Sequence, residues 1–179
     1  MIRREDTGLL VVDIQGRLAQ IVHESEQMLA NTDNLIKGVR LLQLPVLWLE
    51  QNPERLGPTT ATLAEMLAPA APITKYTFDA CKEPSFVEAV RAAKVSTWLV
   101  CGVETHICVY QTVMHLKHLG YDVELVCDCV SSRTPFNKRL AMEKMAARGV
   151  GMTSVEMCLY ELVVDCRAEE FRDILRIVK

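Results

Sequence analysis

A chain of 179 residues, half of them hydrophobic and a quarter charged, with a net charge of −3, reads as one soluble globular domain with a sizeable core. That charge leaves no basic footprint for nucleic acid or an anionic membrane surface, and apolar runs such as 8–12 and 97–103 are far too short to span a bilayer. Cysteines at 81, 101, 108, 127, 129, 158 and 166 form no CxxC and no zinc spacing. They read as reduced thiols in a reducing compartment, with no secretory signal pattern ahead of them, so a cytoplasmic location is expected.

Strand and helix patterns then alternate along the chain. An apolar run at 8–13 reads as a first strand ending in the carboxylate of Asp13. Residues 25–44 place Met28, Leu29, Leu35, Ile36, Val39 and Leu42 at helical spacing, and Pro45 ends that helix. A second strand at 46–50 runs into a loop at 51–60, marked by two prolines and a glycine. A short helix at 61–67 precedes a brief third strand at 72–75, which ends in Lys75. A helix opens at Pro84 and runs to 93, and a fourth strand follows at 95–101. Cys108 comes just before the amphipathic stretch 109–118 and reads as part of that helix's first turn. Gly120 stops it, and a fifth strand spans 122–126. A helix at 135–148 ends at Gly149, a sixth strand spans 150–153, and helices at 154–161 and 169–178 close the chain.

This alternation predicts right-handed βαβ units and a parallel sheet covered on both faces, a three-layer α/β architecture forming one domain over residues 1–179. Apolar residues on the helices, among them Met114, Leu116, Leu119, Met142 and Met145, exceed what one small core needs and predict a homo-oligomer.

Asp13, Lys75 and Cys108 stand at or just past the carboxyl ends of three strands, where ligands bind in open α/β sheets. Unpaired amides and the positive end of a helix dipole favour a thiolate at Cys108. The thiolate would attack an electrophilic carbonyl. Asp13 would take the thiol proton and return it to the leaving group. Lys75 would stabilise negative charge on the pair and lower the thiol pKa.

Four segments together resemble the isochorismatase-like cysteine hydrolases: Val11-Val12-Asp13-Ile14-Gln15, Thr74-Lys75, Gly102-Val103-Glu104-Thr105-His106-Ile107-Cys108-Val109-Tyr110-Gln111-Thr112, and Val126-Cys127-Asp128-Cys129-Val130-Ser131-Ser132-Arg133. The resemblance spans roughly residues 7–160. It implies a Rossmann-like fold with a six-stranded parallel sheet, a homo-oligomer, and an Asp–Lys–Cys triad at Asp13, Lys75 and Cys108. It also implies a cis peptide at Val103-Glu104 that aims the Glu104 amide, with that of Cys108, at a developing oxyanion. Gln15, Gln51 and Phe78 complete the expected substrate-binding set; for Trp48, as for Phe78, a pocket wall and a core position are the two readings, and an aromatic at a strand end is more often core.

Nicotinamidases of this family carry a D-x-H-x-x-H metal motif after the second strand. This chain has Glu50-Gln51-Asn52-Pro53 there and no histidine. His115 and His118 lie one helical turn apart with no further ligand evident on their helix, so neither metal nor cofactor is expected. The loop and Glu104 look like the isochorismatase domain-containing subgroup. Glu104 either selects a cationic or amide-bearing substrate or pairs with a nearby base. Asp128 and Arg133 are expected to brace the turn after the fifth strand, and Thr105 and Thr112 to cap or pack. The expected activity is hydrolysis of an amide, carbamoyl or related bond in a small molecule. Vinyl ether hydrolysis, a non-catalytic binding role and ribonuclease action are the alternatives.

Overall fold

The computed structural model describes residues 1–179. Its centre is a six-stranded, all-parallel sheet in the order β3-β2-β1-β4-β5-β6. The strands are β1 (Thr7–Val12), β2 (Val46–Gln51), β3 (Ile73–Lys75), β4 (Thr97–Val103), β5 (Asp122–Ser131) and β6 (Gly151–Thr153). The chain builds outward from β1 to β3, then crosses back to lay β4 on the other side of β1. The strand order therefore reverses between β1 and β4, and a crevice opens at their carboxyl ends. Asp13 directly follows β1, and Cys108 lies five residues beyond the end of β4.

Every residue of β1 is buried, because helices cover both sheet faces and leave no solvated side for polar residues. Alternate side chains divide between two cores. Leu9, Val11, Leu99 and Cys101 face one layer of helices, α2 (Ser25–Leu41), α4 (Ala61–Leu67), α8 (Val155–Val163) and α9 (Phe171–Val178). Leu10, Val12, Trp98 and Val100 face the other, α5 (Pro84–Ala92), α6 (Tyr110–His118) and α7 (Pro135–Ala146). The predicted helices and strands are present with shifts of a few residues at their ends. Two four-residue helices were not legible in the sequence, α1 (Leu18–Ile21) and α3 (Pro53–Leu56). Neither is long enough to show a hydrophobic period.

β5 runs to Ser131, well past the predicted end at 126. Cys127, Asp128 and Cys129 interrupt its apolar pattern, while the ladder continues through a bulge. Val100 pairs with Leu125, but Gly102 pairs with Val130. Gly102 makes this possible, with φ at +127° and a Cβ position only 2.0 Å from the Val12 carbonyl oxygen. We expect Gly102→Ala to cost at least about 3 kcal/mol, read as a lowered urea midpoint, because it meets both a left-handed φ and backbone that cannot yield.

Part of the reasoning for a homo-oligomer needs correction. Leu116 and Met145 are fully buried in the chain's own core, and Met114 and Met142 pack partly against it. Leu119 does reach solvent as expected, and the other exposed apolar side chains include Tyr76, Phe78, Phe136 and Met157.

Candidate active site

Asp13 occupies the first position past β1 with φ at +52°, a left-handed conformation that Asp tolerates better than most side chains. Its backbone amide reaches across to the Leu49 carbonyl of β2. Lys75 ends β3 and is wholly buried, a setting that an ammonium group accepts only with partners. It has three: Nζ donates to Asp13 Oδ2 at 2.7 Å, to Gln51 Oε1 at 2.7 Å and to the Thr77 carbonyl at 3.3 Å. A buried ion pair thus sits at the end of the sheet, and Asp13 Oδ1 has no protein partner.

The Cys108 thiol interacts with both members of this pair. The sequence reading placed it in an α-helical first turn. Instead, Thr105–Val109 forms a π-helical turn that leads into α6, with the Val109 amide donating to the Glu104 carbonyl. Such wide turns concentrate at functional sites. Burial and the charge of Asp13 push the thiol pKa up to about 12, against the opposing pull of Lys75. The resting thiolate expected from the sequence therefore meets two opposing influences, burial and the Asp13 charge beside it, with Lys75 acting in its favour. Burial also raises the Asp13 pKa, while Lys75 works in the opposite direction. A carboxyl group with raised basicity beside a neutral thiol is suited to accept its proton.

The Val103-Glu104 peptide bond is cis, and Val103 is fully buried. Glu104 takes the second of its two expected arrangements, pairing with a base. Its Oε1 accepts from the Arg133 amide at 2.9 Å and from Arg133 Nε at 3.1 Å. His106 Nδ1 meets Ser132 Oγ at 3.0 Å, so two consecutive residues after β5 tie down the turn that carries the cysteine. Asp128 accepts from the Val155 amide at the start of α8. Thr112 accepts from the Ala80 amide, whereas the buried Thr105 hydroxyl has no partner.

Gln15 and Gln51 are both buried, and their amides are engaged within the protein. Gln15 brackets the Gln51 backbone, accepting from its amide at 2.6 Å and donating to its carbonyl at 3.2 Å. Gln51 in turn accepts from Lys75 and donates to the Tyr76 carbonyl at 2.8 Å. The two glutamines thus form a brace behind the ammonium group. Phe78 is largely exposed, just beyond the Thr77 carbonyl that holds Lys75. Trp48 packs in the core against the α2 layer. Sequence reading missed Glu50, whose buried carboxylate accepts from the Thr59 amide and hydroxyl at 2.6 and 2.8 Å. It closes the loop after β2, and its charge adds to the raised Asp13 pKa.

The model of the isochorismatase domain matches residues 7–157. The secreted isochorismatase effector Isc1 of Phytophthora sojae is 32% identical, covering 96% of this chain and 83% of that protein. Among solved structures, the MAR1 ribonuclease of Caenorhabditis elegans superimposes with a TM-score of 0.92 at 30% identity, over 99% of this chain and 91% of that one. The ycaC gene product of Escherichia coli, described as an octameric hydrolase of unknown specificity, shares the fold. Its TM-score is 0.90 at 21% identity, over 98% of this chain and 94% of that one.

Proposed function

The chain belongs to the isochorismatase family, and from that premise we propose that it is a hydrolase that opens an amide, carbamoyl or related carbonyl bond of a small molecule through Cys108. Family membership by itself supports a hydrolase of this superfamily. The observation that carries the finer reading is the buried Lys75–Asp13 pair at 2.7 Å with the Cys108 thiol against it. In the first step the thiol sulfur attacks the carbonyl carbon as Asp13 accepts the thiol proton. The carbonyl π pair moves onto oxygen, where the amides of Glu104 and Cys108 are the proposed donors. The intermediate collapses, the C–N bond breaks, and the nitrogen leaves with the proton from Asp13. Water then attacks the thioester carbon, giving its proton to Asp13. The expelled sulfur recovers that proton, so protein groups and water close the cycle. Lys75 holds the carboxylate in place throughout, and the Gln15–Gln51 brace holds Lys75.

The proposed setting is cytoplasmic, supported by seven cysteines that are all unpaired. No helix is long and apolar enough to cross a membrane. We place Phe78 at the mouth as a contact for an apolar part of the substrate. A homo-oligomer is also proposed, supported by the octameric relative of the same fold and by the exposed Tyr76, Phe136 and Met157.

The test is a panel of amides and carbamoyl compounds with mass spectrometry of the intact protein. An acyl adduct on Cys108 is expected in the wild type. Cys108→Ala is expected to lower kcat/KM by about 10³-fold or more. Turnover that survives Cys108→Ala but is lost in Asp13→Asn would favour vinyl ether hydrolysis instead. The ribonuclease name of the C. elegans structure motivates one further assay. RNA cleavage that persists in Cys108→Ala after removal of contaminating nucleases would support that second reading.

A further inference from the structure

Outside the Asp13–Lys75–Cys108 set, three side chains of different chemistry meet between two elements. Asp79 lies in the segment after β3, Cys81 in the short 3-10 turn Ala80–Lys82, and His115 on α6. Their donor atoms all lie within 4.8 Å of one another. We propose that Asp79, Cys81 and His115 form a zinc site that clamps the segment following Lys75 to the helix following Cys108.

The donor set argues for this class of ion. A thiolate, an imidazole and a carboxylate suit zinc, whereas magnesium and calcium prefer oxygen alone. The geometry is already partly organised. Asp79 Oδ1 accepts from the Cys81 amide at 3.0 Å, which fixes the turn. Asp79 Oδ2 meets His115 Nδ1 at 2.7 Å, which fixes the imidazole. Ala80 donates to Thr112 Oγ1 at 3.0 Å, so the turn is docked on α6 one helical turn before His115. Cys81 is buried, while Asp79 and His115 keep part of their surface at an open cavity of about 510 Å³. The carboxylate and imidazole line that cavity, whereas Cys81 lines a separate, smaller one with Phe86 and Leu116. Binding replaces the thiol proton of Cys81, which passes to solvent. Three protein ligands leave a fourth position for water or for His118, whose ring centre lies 6.2 Å from that of His115.

The sequence expectation of no metal rested on the cysteine spacings, the loop after β2 and the His115–His118 pair. Asp79 and Cys81 come from a separate stretch of chain, more than thirty residues earlier, and only the fold brings them to His115.

The experiment uses the full chain, stripped with chelator under reducing conditions and titrated with Zn²⁺ or Co²⁺. About one ion per chain is expected, and cobalt is expected to give a thiolate-to-metal charge-transfer band. Excess Mg²⁺ and Ca²⁺ should leave the titration unchanged. Cys81→Ala should remove the band and weaken zinc binding at least tenfold, and His115→Gln should weaken it similarly. Cys166→Ser, which removes the exposed cysteine, should bind as the wild type does. The wild-type cobalt spectrum does not depend on any variant folding, so a spectrum without thiolate character overturns the proposal. Binding that is unchanged in Cys81→Ala, or lost only in Cys166→Ser, overturns it equally.

Discussion

Asp13→Asn is expected to abolish turnover while making the Cys108 thiol easier to ionise. The two effects have opposite signs because Asp13 plays two parts. As a base it accepts the thiol proton, and removing a positioned base typically costs about 10²–10⁴-fold in rate. As a neighbouring charge it holds the thiol pKa up, second only to burial. Neutral asparagine removes that repulsion and leaves Lys75 to favour the thiolate. Alkylation of Cys108 by iodoacetamide, located by peptide mass spectrometry, separates the two. In the wild type, with the thiol pushed up to about 12, alkylation should be slow at pH 7. It should rise about tenfold per pH unit through pH 9, since the thiolate is the reacting form. In Asp13→Asn the rate at pH 8 should be higher than in the wild type, although substrate turnover is gone. A wild-type alkylation rate that levels off below pH 8 would mean a preformed thiolate. Asp13 would then not be needed as the base.

The positions of Asp13 and Cys108 were legible because each comes after an apolar run that reads as a buried strand, and that of Lys75 because it ends a brief strand after a short helix. The parallel sheet followed from the βαβ alternation, whereas its strand order came only with the structure. What escaped the sequence depends on pairing at long range. Glu104 and Arg133 are 29 residues apart, and nothing local in either segment says which of Glu104's two expected roles it takes. The brace of Gln15 and Gln51 behind Lys75 was equally hidden, since both residues were read as facing substrate. The influences acting on Cys108 were hidden for a related reason. Its place after a strand suggested a helix dipole, whereas burial and the charge of Asp13 work against the thiolate. The extended β5 was missed because Cys127 to Cys129 look like a strand end, whereas the bulge opposite Gly102 lets the ladder continue.

Lys75→Met is expected to be the most destabilising single change at the site, at about 3–5 kcal/mol near neutral pH. The loss does not measure what the ion pair contributes to folding. It reflects the carboxylate of Asp13 left almost fully buried with no cation, together with a Gln51 oxygen that loses its donor. Two further measurements distinguish this cause from simple loss of packing. Pairing Lys75→Met with Asp13→Asn removes the stranded charge, so the double variant should recover more than half of the deficit in urea unfolding. The deficit should also depend on pH. Burial already raises the Asp13 pKa, and Lys75 is the largest influence opposing it. Without Lys75 the folded-state pKa rises further, so the folded variant binds a proton more readily than the unfolded chain does. Stability then falls as pH rises through the interval between the unfolded and folded values. The variant should therefore be closest to wild type under mildly acidic conditions and furthest from it at pH 8. A deficit that is the same at pH 5 and pH 8, and undiminished in the double variant, would locate the damage in lost packing. The Asp13 charge would then have no part in it.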